Sequence, residues 1–173
     1  SMSIRALYRA FIVKIFLKPK KVLDVGCGLG YFVHYLRRLG IEAYGLELSR
    51  YAVDNGITSV RQYIKPGDVQ KIPYKDNSFD LVTSFDVFEH IHQEDIEKGI
   101  DECTRVSSSM QFHKIYTLEN TWLKSVHGTD LSHVSVFNRD WWMEIWKKKK
   151  LIISQNRWLK LPDVIATSFL LEK

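Results

Sequence analysis

Apolar and polar positions change period several times along the 173-residue chain. Residues 4–18 place Arg5, Arg9 and Lys14 at helical intervals among apolar side chains and stop at Pro19, which predicts an amphipathic N-terminal helix. Lys21 to Gly26 is strand-like; a glycine-rich turn follows, then a helix from Tyr31 to Leu39 closed by Gly40. Glu42 to Leu48 is a second strand, and Ser49 caps a short helix ended by Asn55-Gly56. A short third strand fits near Ser59 to Ile64. A fourth, Phe79 to Phe85, is entered through the turn-rich run Tyr74 to Ser78. Glu94 to Val106 sets Ile96, Ile100, Cys103 and Val106 on one helical face, which predicts packing on a sheet.

Three further strands are expected at Gln111 to Leu118, Leu151 to Leu159 and Val164 to Leu171. The last two form a hairpin across Pro162-Asp163. Asn138 caps a helix through Trp141, Trp142 and Trp146 into Lys147 to Lys150, whose charges complement the helix dipole. Alternating strands and helices followed by a hairpin predict an α/β three-layer sandwich. Its seven-stranded, mostly parallel sheet ends in a C-terminal antiparallel hairpin and carries helices on both faces. The length predicts one domain over 1–173, with residues 21–106 and 107–173 as its two halves after the N-terminal helix. The serine-rich turn Val106 to Met110 leaves the register of the fifth strand open.

Hydrophobic content of 45% and charged content of 26% exclude disordered and fibrous classes. No apolar run approaches the ~20 residues that span a bilayer. Ser1 ahead of Met2 reads as the scar of a cleaved tag, with no signal sequence after it, so a cytoplasmic location is expected. Cys27 and Cys103, without a CxxC or a His/Cys cluster, indicate neither a disulfide framework nor a structural metal. A net charge of +5 is compatible with an anionic partner but does not specify a reaction.

The chemistry-bearing stretch is Asp24-Val-Gly26-Cys27-Gly28-Leu-Gly30, where the first strand gives way to a helix. Ligands of open α/β sheets sit beyond the carboxyl ends of strands, where glycines let them approach the backbone. A dinucleotide fingerprint fails, because Tyr31 stands where the third glycine belongs after Gly26 and Gly28, and Val33 stands there after Gly28 and Gly30. The phosphate-binding G-x-x-x-x-G-K-[ST] pattern is absent. The loop instead resembles the first motif of class I S-adenosylmethionine-dependent methyltransferases of the small-molecule type. Further blocks follow in the family's order: Tyr44-Gly-Leu-Glu47-Leu48-Ser49, Gly67-Asp68-Val69 before Ile72-Pro73-Tyr74, and Asp76 through Val82.

That resemblance implies a methyltransferase that binds S-adenosyl-L-methionine and releases S-adenosyl-L-homocysteine. It implies that Gly26, Cys27 and Gly28 face the methionine part, with Asp24 and Gly30 shaping the turn. Glu47 would hold the ribose, Asp68 and the Val69 backbone the adenine, Leu48 would pack on the ring, and Phe85 would meet the cofactor's amino acid. The acceptor is expected to be an oxygen or nitrogen of a small molecule or glycan-like substrate. A base is required only when that atom arrives protonated, and histidine suits the task. His90, in Glu89-His90, and His133, in Asp130-Leu-Ser-His133-Val, are the candidates, with Asp130 fixing the tautomer and lining the substrate pocket. No metal is expected from His127, Asp130 and His133. Nucleic-acid or protein methylation, an inactive cofactor-binding partner subunit and a dehydrogenase are the alternatives. A homo-oligomer is left open, and so is what closes the substrate side, since no insertion is large enough to form a cap.

Overall fold

The computed structural model describes residues 2–119, 131–154 and 168–173. The strands are β1 (Lys21–Val25), β2 (Glu42–Glu47), β3 (Ile64–Pro66), β4 (Phe79–Phe85), β5 (Ser107–Lys114), β6 (Ile152–Ile153) and β7 (Ser168–Glu172). They form one sheet in the order β3-β2-β1-β4-β5-β7-β6. Pairings from β3 through β5 are parallel, and β7 runs antiparallel to both β5 and β6. The expected sandwich is therefore the observed one. The third strand lies later than expected, because residues 61–63 are a 3-10 turn that delivers Ile64 to the sheet. The sixth and seventh strands pair as predicted, while the Pro162-Asp163 connection lies outside the described residues.

Strand alternation assigns side chains to two cores. Leu23, Val25, Val82, Phe169 and Leu171 pack with helices α4 (Gln93–Val106) and α5 (Arg139–Lys148), whose Ile96, Ile100, Trp142 and Trp146 are fully buried. Val22, Leu81, Phe112 and Leu170 pack the other way, against α1 (Met2–Ile12) and α2 (Tyr31–Arg38). The short α3 (Arg50–Asp54) begins where Ser49 Oγ accepts from Ala52 N at 3.2 Å, and α5 begins where Asn138 Oδ1 accepts from Trp141 N at 2.9 Å. Both predicted caps are present.

The serine turn has a physical resolution. Phe79 pairs with Ser107 but Leu81 pairs with Met110, so β5 carries one extra residue at its start. Serine hydroxyls fill the gap: Ser107 Oγ donates to Met110 O at 2.9 Å and Ser108 Oγ to Phe79 O at 3.1 Å. Arg105 fastens the turn before β4, donating to the carbonyls of Ile72 and Tyr74 and to Glu102 and Asp76 at 2.7–2.9 Å. Within the sheet, buried His113 stacks on Trp146 with ring centroids 5.6 Å apart. Its Nε2 donates to Gln111 Oε1 at 3.1 Å, and its Nδ1 accepts from Ser84 Oγ at 2.7 Å. Burial pushes this imidazole down to about 3, so it is a neutral packing group.

Gly45 in β2 sets the space beneath the first glycine loop: a Cβ there would overlap the Cys27 sulfur and crowd Ile64. Gly45→Ala is expected to cost roughly 1–3 kcal/mol by overpacking, partly restored by Cys27→Ala, as read from urea unfolding midpoints. A neutral Gly45→Ala would contradict this packing.

Candidate functional site

The order reverses at β1, which has β2 on one side and β4 on the other, and the chain's connections leave a crevice beyond these strand ends. A cleft of about 340 Å³ opens there. Gly26, Leu46 to Leu48, Gly67 to Gln70, Asp86, Val87, His90 to His92 and Asp95 line it.

The glycine loop is held in a shape that other residues resist. Gly26, Gly28 and Gly30 have φ of +68°, +53° and +81°, a region costly for residues with a Cβ. A Cβ on Gly26 would strike Val87, and one on Gly30 would come within 2.6 Å of Ile64 Cδ1. Gly28 differs, since a Cβ there would meet open space. Its N–H donates to Glu47 Oε2 at 2.7 Å, and Ser49 N–H donates to Glu47 Oε1 at 2.8 Å. A carboxylate offers about four acceptor sites, so two remain for hydroxyls of a ligand. Asp68 is similarly half committed, capping the turn at 69–71 by accepting from Gln70 N at 2.8 Å. Leu48 is an apolar side chain 71% exposed at the cleft edge.

Asp24 sits beneath this loop, 3% exposed, with Thr83 Oγ1 donating to Oδ1 at 2.8 Å. Burial pushes its carboxyl up to about 7 against that bond and the Arg9 charge. Cys27 is buried, and burial raises its thiol far above its ordinary range. Asp86 takes φ of +57° at the end of β4 and pairs with Lys114 and, at 3.8 Å, with Arg9.

A second group of side chains adjoins the cleft. Glu89 is fully buried; Oε1 accepts from Tyr116 N at 3.0 Å, and Oε2 has no hydrogen-bond partner. Burial, with help from Asp86, pushes this carboxyl up to about 7. The Glu89 carbonyl accepts from Val134 N and Ser135 N, at 2.9 and 3.0 Å, which docks the 131–137 segment beside His90. His90 Nδ1 lies 3.1 Å from both the carbonyl and the hydroxyl of Ser132. The rings of His90 and His133 meet edge to face at 4.8 Å, and Tyr116 lies 4.8 Å from His133. Ligand atoms of Glu89, His90 and His133 lie within 4.8 Å of one another.

A sequence profile described as a methyltransferase domain matches residues 23–110, from inside β1 into β5. The chain belongs to the methyltransferase-domain family. Norajmaline N-methyltransferase of Rauvolfia serpentina is 38% identical over 99 residues, covering 53% of this chain and 33% of that protein. The probable chloroplastic tocopherol O-methyltransferase of Oryza sativa subsp. japonica is 34% identical over 99 residues, covering 53% and 27%. The chain thus spans a third or less of the length of these relatives. Among solved structures, the PH0226 protein of Pyrococcus horikoshii OT3 superposes with a TM-score of 0.76 at 19% identity, over 98% of this chain and 87% of that one. Magnesium protoporphyrin IX methyltransferase of Synechocystis PCC 6803, solved with bound SAH, gives 0.71 at 18% identity, over 99% and 82%.

In this methyltransferase domain, Gly26, Glu47, Leu48, Asp68, Val69 and His90 line the cleft, while Asp24, Cys27 and Gly30 support its wall from behind. Phe85 does not line it: its ring packs on Phe32 and Phe112, with the Arg9 guanidinium 4.3 Å from its centroid. Strand alternation turns Phe85 to the α1 face, and the cleft position passes to Asp86 and Val87. His133 stands beside His90, whereas His127 and Asp130 lie outside the described residues. Sequence reasoning missed Glu89 as the organising group; the one available signal was a carboxylate within the apolar run Val87 to Ile91.

The Asp24 carboxyl gives a signed pH effect. The folded chain keeps its proton up to about 7, whereas the unfolded chain releases it near 3.8. Its contribution is therefore fully present below about 4 and is lost as pH rises through about 7. His113 acts oppositely below its unfolded value of 6.5, but equally in wild type and variant, so it cancels in their difference. Relative to wild type, Asp24→Asn is expected to gain stability between about pH 5 and about pH 7.5 in urea unfolding. A pH-independent difference would contradict a buried, proton-holding Asp24.

Proposed function

We propose that the chain binds S-adenosyl-L-methionine in the cleft beyond β1, β2 and β4 and transfers its methyl group to an oxygen or nitrogen of a small-molecule acceptor in the cytoplasm. The observation that carries the reading is the pairing of Gly28 with Glu47: a glycine whose missing Cβ leaves open space, beside a carboxylate with acceptor sites to spare. Family membership supports the same reading.

In this account Glu47 accepts from the two ribose hydroxyls, and the remaining oxygen of Asp68 accepts from the adenine amino group. Leu48 and Val69 cover the ring, and Gly26 to Gly28 border the methionine part. When bound, the cofactor would supply an electrophilic methyl group for the acceptor lone pair, with S-adenosylhomocysteine as the leaving group. The chain's work is to orient the two reactants and keep water out. His90 and His133 stand where a proton leaving the acceptor can be taken up, with His90 oriented by Ser132 and the 131–137 segment docked on the Glu89 backbone. The N-methyltransferase and O-methyltransferase relatives support a nitrogen or oxygen acceptor of small size.

Calorimetric titration with S-adenosylmethionine and S-adenosylhomocysteine tests the cofactor. Saturable binding is expected for wild type, with affinity lowered at least about tenfold in Glu47→Ala, the loss of a charged acceptor bonded to two hydroxyls. Gly28→Val, which fills the open space, is expected to abolish it. Absence of binding by folded wild-type protein would overturn the proposal.

A further inference from the structure

The N-terminal helix is apolar on two opposite sides. Ala6, Ala10 and Val13 are buried in the core shared with α2. On the other side Ile4, Tyr8, Phe11 and Ile15 recur at spacings of four, three and four residues, and they are 68%, 41%, 46% and 55% exposed. The sequence pattern alone suggests an ordinary packing helix; burial shows that one side's needs are met by the fold while a second apolar stripe faces water. A continuous stripe of this kind marks an interaction surface rather than scattered exposure.

Charge selects the occupant. Residues 1–23 contain Arg5, Arg9, Lys14, Lys18, Lys20 and Lys21 and no acidic residue. On a helical projection Arg5 flanks the stripe on one side and Lys14 on the other, and Lys18 and Lys20 are exposed just past its end. Pairing two copies through this stripe would set cations against cations with no carboxylate between them. An apolar ridge with two aromatic residues at its centre and cations along both edges matches an anionic bilayer surface, where rings and aliphatic groups enter the acyl boundary and lysines meet phosphates. No described helix is long and apolar enough to cross a membrane, which fits a helix lying in the surface plane.

We propose that the Ile4-Tyr8-Phe11-Ile15 face of α1 and of the π-helical turn that continues it (Val13–Leu17) docks the domain onto anionic phospholipid membranes. The helix is also coupled to the cleft: Arg9 packs over Phe85 and pairs with Asp86, a cleft-lining residue.

Flotation of the purified chain with vesicles of phosphatidylcholine alone, and of phosphatidylcholine mixed three to one with phosphatidylglycerol, tests this. Partition at least about tenfold stronger onto the anionic vesicles, weakening as salt rises, is expected. Phe11→Ser/Ile15→Ser should lower it at least about tenfold, and Arg5→Ser/Lys18→Ser should reduce both the partition and its salt dependence. All substituted side chains are exposed, so circular dichroism and S-adenosylhomocysteine binding should match wild type. No partition by wild type, or equal partition by wild type and Phe11→Ser/Ile15→Ser, would overturn the proposal. So would a dimer in sedimentation velocity that this variant abolishes, since it would assign the stripe to a second copy. Vesicle binding without cofactor binding would remove the cofactor reading and leave this one standing.

Discussion

The carboxylate of Glu47 is the constraint on which the rest of the site depends. One oxygen receives Gly28 N–H and the other Ser49 N–H, so a single side chain at the end of β2 fixes both the glycine loop after β1 and the start of α3. A charged acceptor with two backbone donors is stronger than a neutral bond and demands that both loops come to it. The glycine loop can do so because its three glycines sit at positive φ. Gly45 leaves room below for Cys27, and Gly28 leaves room above. What remains is a polar edge on a partly apolar cleft at the switch point of the sheet, the place where open α/β sheets receive ligands.

Support for that edge comes from groups that perform no chemistry. Arg105 gathers the chain before β4, Thr83 and Asp24 share a hydrogen bond beneath the loop, and His113 and Trp146 stack behind β5. Glu89 does for the 131–137 segment what Glu47 does for the glycine loop. Its side chain receives Tyr116 N–H and its carbonyl receives two N–H groups from the 131–137 segment, which sets His133 against His90. Both carboxylates hold loops to strand ends, but Glu89 is fully buried with one oxygen unpartnered, so it keeps its proton to higher pH.

Much of this was legible in the residues. Strands with strict apolar runs and recognisable turn chemistry, such as Phe79 to Phe85, have the bounds the pattern predicts. Caps at Ser49 and Asn138 are local hydrogen bonds and so can be read locally. The loop's glycines were legible as a local need at a strand end, while the parts expected of Glu47 and Asp68 came from the resemblance. What was not legible depends on three-dimensional neighbours. The displaced register of β5 rests on serine hydroxyls reaching another strand. The orientation of Phe85 follows from the parity of β4 against both cores, and the second apolar face of α1 appears only once the first is seen to be filled.

The central claim is that one ligand spans the loop at Gly26 to Gly28, the acid at Glu47 and the turn at Asp68. Amide resonance mapping in a nitrogen-15 labelled sample, with S-adenosylhomocysteine added stepwise, addresses all three at once. The account predicts saturable shifts confined to residues 26–30, 47–49 and 67–70 and the adjoining 86–92 segment, with the amides of β6 and β7 unmoved. Shifts clustered elsewhere, or an unchanged spectrum from folded protein, would contradict it.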